Sequence, residues 1–192
     1  NGDGIFLLRI KAEEWAEHTA GFHPRGLPLG QINGQTYGMA FTFSTPVLYI
    51  NTTILEEAGI DPTTVPTTWD EVEELALQVV ANTDKQGVSI YQQSWIAQAL
   101  VMSNGGRMLS EDRTTLMFGE EAGQGAMARL QAMVNSGAHV PAGVEAFQAF
   151  AGGQVAMMLN TTAALRFVQD SFAQTGQVLN MGIQNRLGHI GP

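Results

Sequence analysis

Three short apolar runs, Val47-Leu48-Tyr49-Ile50, Val88-Ser89-Ile90-Tyr91 and Val155-Ala156-Met157-Met158-Leu159, are separated by segments whose apolar residues recur with helical period. Strands and helices that alternate in this way pack as an α/β domain, because each sheet face must be covered by the helices between its strands. The strongest helical signal lies between the first two runs. Thr68 with Glu71 forms a capping box, and Val72, Leu75, Ala76, Val79 and Val80 fall at i, i+3, i+4, i+7 and i+8. Val155 to Leu159 shows no polar alternation, as expected of a strand buried on both faces. The predicted architecture is an α/β lobe with helices on both faces of a mixed sheet and ligands bound beyond the strand ends.

The remaining elements follow from local signals. Helices are predicted over Lys11 to His18 around Trp15, over Thr52 to Ala58 up to Gly59, and over Trp95 to Met102 up to Asn104-Gly105-Gly106. Later helices run through Ala126, Met127, Leu130, Met133 and Val134, over Ala146 to Ala151 before Gly152-Gly153, and over Ala163 to Phe172. The Asn33-Gly34 turn leads into a strand segment over Thr36 to Phe41, which Ser44-Thr45-Pro46 separates from Val47 to Ile50. Asp61-Pro62 and Val65-Pro66 make a stiff connector, and Glu111 to Thr115 reads as a polar hairpin.

Composition excludes several functions. With 192 residues the chain can bury one real core, and no apolar run approaches the ~20 residues of a membrane span. A net charge of −9, with Lys11 and Lys85 the only lysines and the arginines scattered, leaves no basic surface for nucleic acid. The absence of cysteine removes disulfides, thiolate metal sites and cysteine nucleophiles together. His18, His23, His139 and His189 show no metal-ligand spacing, and no nucleophile elbow or P-loop is present. Gly119, Gly123 and Gly125 are wrongly spaced for a dinucleotide loop, and Glu71, Glu73 and Glu74 read as solvated helix charge. No cofactor, metal or catalytic constellation is expected.

Candidate ligand contacts sit at boundaries between elements. Ser44 and Thr45 offer hydroxyls at a strand break, where an ordinary turn is the simpler reading. Trp95 opens an apolar helix after Gln92-Gln93-Ser94; it is either a cleft aromatic or a core one, and Ala99, Leu100 and Met102 can serve the core without it. Thr161 and Thr162 lie between a buried strand and a helix, where free amides suit anionic or hydroxylated ligands and where an N-cap serves equally. Arg166, one turn further, suits a phosphate or is a solvated surface residue.

Taken in order, these segments resemble family 1 extracellular solute-binding proteins, the receptors of carbohydrate and glycerol-phosphate ABC importers. The resemblance rests on Tyr37-Gly38 to Phe41 with Ser44 to Asn51, on Ala58 to Pro62 with Pro66 to Glu71, on Asn104-Gly105-Gly106, and on Ala146-Phe147 with Phe150 through Met158. It implies a periplasmic-binding-protein-like (type II) clamshell, of which 37–180 is the second lobe. On that reading 1–36 leads in from a first lobe lying outside this sequence, and 181–192 returns toward it. It also implies that Ser44, Trp95 and Thr161 or Thr162 line the cleft, whereas Trp69 is core. The implied activity is capture of a small polyol, sugar or glycerol phosphate outside the cytoplasm, with glycerol phosphate slightly favoured. Delivery to ABC permease transmembrane subunits follows, by a monomer that is not an enzyme. An α/β hydrolase or transferase lobe, with its catalytic residues elsewhere, is the alternative.

Overall fold

The structure is a computed structural model that describes residues 12–39, 44–141 and 145–182. The chain divides into two compact units, Asn1–Phe43 and Ser44–Pro192.

In the first unit, helix α1 (Ala12–Thr19) is followed by a 3-10 turn over Leu27–Gly30 and a minimal hairpin of β1 (Gln31–Ile32) and β2 (Gln35–Thr36). Asn33 and Gly34 both take positive φ, 52° and 77°, as a two-residue hairpin turn of matching twist requires. The strand predicted over Thr36 to Phe41 is not formed as such. β2 ends at Thr36, because the amides of Tyr37 and Gly38 both donate to the Gly30 carbonyl and turn the chain out of the ladder. Ala40 and Phe41 lie outside the described residues, as does Lys11.

The second unit is built on a four-stranded sheet of order β4-β5-β3-β6. β3 (Pro46–Asn51) runs antiparallel to β5 (Val155–Thr161) and to β6 (Leu179–Gly182), while β4 (Gln86–Ile90) runs parallel to β5, so the sheet is mixed. Pro46 occupies the first position of β3, where a missing amide costs least. β6 ends at Gly182, and 183–192 lie outside the described residues.

Alternation along β3 divides the core in two. Leu48 and Ile50 join the larger cluster with Ile54 and Leu55 of α2 (Thr52–Glu57), Val72 and Val79 of α3 (Trp69–Asn82), Ile96 and Leu100 of α4 (Ser94–Ser103) and Met133 of α5 (Glu121–Asn135). Val47 and Tyr49 point the other way, into a smaller cluster with Phe150 of α6 (Glu145–Ala151) and Val168 and Phe172 of α7 (Leu165–Thr175). Helices therefore cover both faces.

Local signals are realised at several helix ends. The Thr68 hydroxyl accepts from the Glu71 amide at 3.2 Å, and the Glu71 carboxylate accepts from the Thr68 amide at 3.1 Å, completing the capping box. Trp69 is buried, as its core reading required. Met102 differs from expectation: it is 59% exposed, because the helical period places Ile96, Leu100 and Val101 inward and turns Met102 out. Val80 and Met127, at 40% and 41%, lie at the outer margin of their stripes.

Candidate functional site

The strand directions decide which loops meet. β4 and β5 run parallel and β3 opposes them, so the segment after β4, the segment after β5 and the segment before β3 emerge at one end of the sheet. These segments carry Tyr91 to Trp95, Thr161-Thr162 and Ser44-Thr45, and pairing of Pro46 with Thr161 sets the last two side by side. The predicted contacts, far apart in sequence, are thus brought to one edge, beyond strand ends as open α/β sheets place their ligands.

Each predicted residue has a definite environment. Ser44 and Thr45 are exposed. The Thr161 hydroxyl accepts from the Ala163 amide at 3.1 Å, capping the 3-10 turn Thr162–Ala164, and its carbonyl accepts from the Tyr49 hydroxyl at 2.8 Å. Burial pushes the Tyr49 phenol up to about 12, so it remains a neutral donor to that carbonyl. Trp95 is half-buried and packs on the larger core cluster, with the rest of its side chain open at the surface. Arg166 is exposed, and its Nε donates to both oxygens of Asp170 at 3.0 and 2.9 Å. That pairing gives its guanidinium a partner within the helix and offsets its charge. The i, i+4 spacing of the two residues was the signal for it in the sequence.

A groove of about 610 Å³ opens beside the end of β4, between α4 and α5, lined by Tyr91, Gln92, Gln93, Ser94, Gln131 and His139 among others. The sequence showed the polar run but not the groove, which exists because α5 packs against α4. His139 is buried, and its Nδ1 lies 3.2 Å from the Val88 carbonyl; since a carbonyl only accepts, Nδ1 carries the proton. Burial holds His139 below the ordinary imidazole range, partly opposed by that hydrogen bond, so it is neutral at pH 7. Among the described residues no group of three His, Cys, Asp or Glu could hold a metal ion, and no helix is long and apolar enough to cross a membrane.

Comparison with known proteins adds independent findings. The family model described as bacterial extracellular solute-binding protein matches residues 10–189. Over 63 residues the chain is 36% identical to the sn-glycerol-3-phosphate-binding periplasmic protein UgpB of Escherichia coli strain K12, a match covering 33% of this chain and 14% of that protein. Among solved structures, the GacH receptor of Streptomyces glaucescens, studied with acarbose, superposes with TM-score 0.71 at 24% identity, covering 83% of this chain and 42% of that one. UgpB of Mycobacterium tuberculosis in complex with glycerophosphocholine gives TM-score 0.72 at 20% identity, covering 88% of this chain and 44% of that one. The Listeria monocytogenes ABC substrate-binding protein Lmo0181, in complex with cycloalternan, gives 0.71 at 19% identity, covering 91% and 47%. The chain therefore spans less than half the length of each of these proteins, and the expected periplasmic-binding-protein-like α/β fold is the one found.

Proposed function

We propose, from the premise that this chain belongs to the bacterial extracellular solute-binding protein family, that it supplies one lobe of a receptor that captures a small polyol, sugar or glycerol phosphate. The observation that carries this reading is the gathering of Ser44-Thr45, Tyr91 to Trp95 and Thr161-Thr162 at one end of the sheet. Hydroxyls, amides and one half-open indole make a surface that binds a hydroxylated solute by hydrogen bonds and stacking. Closure of a second lobe over that edge would remove water from the ligand and complete the site. The receptor works as an extracytoplasmic monomer and delivers its ligand to the transmembrane subunits of an ABC permease. In domain terms, 37–180 forms the second lobe, 1–36 leads into it, and 181–192 returns toward the first. Family membership favours binding over a hydrolase or transferase activity, and the chemistry needs no catalytic group.

Titration calorimetry on the full-length protein, with sn-glycerol 3-phosphate and a panel of neutral saccharides, tests this. Saturable one-to-one binding of one class, with the ligand recovered unchanged, is expected. Absence of binding to every compound, or conversion of any of them, overturns the reading.

A further inference from the structure

Three Asn-Gly pairs occur in the chain: Asn1-Gly2, Asn33-Gly34 and Asn104-Gly105. The first lies outside the described residues. The other two are exposed turns whose glycines take positive φ, 77° at Gly34 and 79° at Gly105, so neither accessibility nor glycine conformation separates them. An asparagine followed by glycine is open to an internal reaction, because the glycine nitrogen is unhindered by any side chain of its own. That nitrogen attacks the asparagine Cγ; a Cγ–N bond forms, the Cγ–Nδ2 bond breaks, and the backbone amide proton leaves with the side-chain nitrogen as ammonia. Water then opens the cyclic imide at either carbonyl, leaving aspartate or isoaspartate.

The hydrogen bonds of the two turns differ. At Asn104 the side-chain Nδ2 donates to the Ala122 carbonyl at 2.7 Å, and the Gly105 amide, which would have to attack, donates to the Met102 carbonyl at 3.1 Å. Both reacting groups are thus tied down at the end of α4, where the Gly106 amide also donates to the Val101 carbonyl at 2.9 Å. At Asn33 neither the side chain nor the Gly34 amide makes a hydrogen bond to any described residue. The turn is held by a ladder of two residues a side, Gln31 with Thr36 and Ile32 with Gln35, and by the Gln31 side-chain amide on the Thr36 hydroxyl at 3.2 Å. A ladder this short opens readily, which lets the Asn33 backbone rotate and bring the Gly34 nitrogen to Cγ.

We infer that Asn33 is a site of spontaneous deamidation and isomerisation, whereas the fold protects Asn104. Deamidation adds a negative charge, and isoaspartate also lengthens the backbone by a methylene, which removes the paired positive-φ geometry that closes the hairpin. Ageing the full-length protein in mildly alkaline buffer at body temperature, with and without denaturing urea, and mapping its peptides by mass spectrometry tests this. In the folded protein Asn33 should convert at least about tenfold faster than Asn104, whose two hydrogen bonds must open before it can react. In urea the preference should vanish, because unfolding frees Asn104 while the Asn33 turn has little protection to lose. Comparable rates at the two sites in the folded protein overturn the inference. So does a preference for Asn33 that survives unfolding, since it would come from the neighbouring side chains and not from the fold. In the isolated isoaspartyl form the amides of Gln35 and Thr36 should exchange with solvent faster than in the unmodified protein; unchanged exchange there overturns the loss of the hairpin.

Discussion

The Thr162 hydroxyl accepts a hydrogen bond from the Thr45 amide at 3.3 Å, while the Thr162 amide donates to the Thr45 carbonyl at 3.0 Å. Two loop residues 117 positions apart are thereby clasped across the ends of β3 and β5. A hydroxyl that accepts from the chain still has its own hydrogen to donate, so Thr162 can shape the edge and contact a ligand at once.

Thr162→Val removes the acceptor and keeps the shape. It should cost about 0.5–1.5 kcal/mol in urea unfolding, the worth of one ordinary hydrogen bond, whereas Thr162→Ser should stay near wild type. Equal stability of all three proteins would mean that the side-chain half of the clasp contributes nothing.

Trp95→Ala should weaken ligand binding by the full-length protein about tenfold, the loss of one aromatic platform. Because Trp95 is only half-buried, its stability cost should be about 1–2 kcal/mol, below the 3–5 of a fully buried tryptophan. A large loss of stability with normal binding by the folded fraction would place Trp95 in the core alone.

His139 makes stability depend on pH. Its folded pKa is held below 6.5, first by burial, so the unfolded chain binds the proton more readily. The contribution of neutral His139 is therefore fully present above about pH 6.5, the unfolded value, and is lost as pH falls from there through the folded one. His139→Gln, which can still donate to the Val88 carbonyl, should flatten the decline in denaturation midpoint between about pH 7 and pH 5. An unaltered slope would assign the acid sensitivity to other groups.

Gly87→Ala should destabilise the second unit. A Cβ there would lie 2.6 Å from both the Cβ and the carbonyl oxygen of Ala76 and 2.8 Å from the Ala138 carbonyl oxygen, so α3 and β4 would have to move apart. A cost of about 1–3 kcal/mol is expected in chemical denaturation. Gly119→Ala, where no atom lies within 4 Å of the added carbon, should change stability by less than about 0.5 kcal/mol. Equal effects of the two would show that β4 does not pack so closely on α3.

Much of the fold was legible because its signals are local. The Thr68–Glu71 capping box, the apolar stripe of α3 and the unbroken apolar run of β5 each lie within a few residues of chain, where period and cap chemistry act directly. The positions of Ser44, Trp95 and Thr161-Thr162 at element boundaries were readable for the same reason. Errors arose at two places: the Gly30 carbonyl took the amides that would have extended β2, and the phase of α4, which places Ile96, Leu100 and Val101 inward, turned Met102 outward.

The sequence by itself determined the capped helix from Trp69 to Asn82, the strands around Val47 to Ile50 and Val155 to Leu159, and, having no cysteine, the absence of disulfides. The tertiary structure alone decided the strand order β4-β5-β3-β6, and with it that the segments carrying Thr45, Trp95 and Thr162 share one end of the sheet. It alone set Phe147 against Phe167 and opened the groove beside Tyr91. The physical reason is that strand pairing and helix packing join residues distant in the chain, and each local pattern is compatible with several such pairings until the whole core chooses among them.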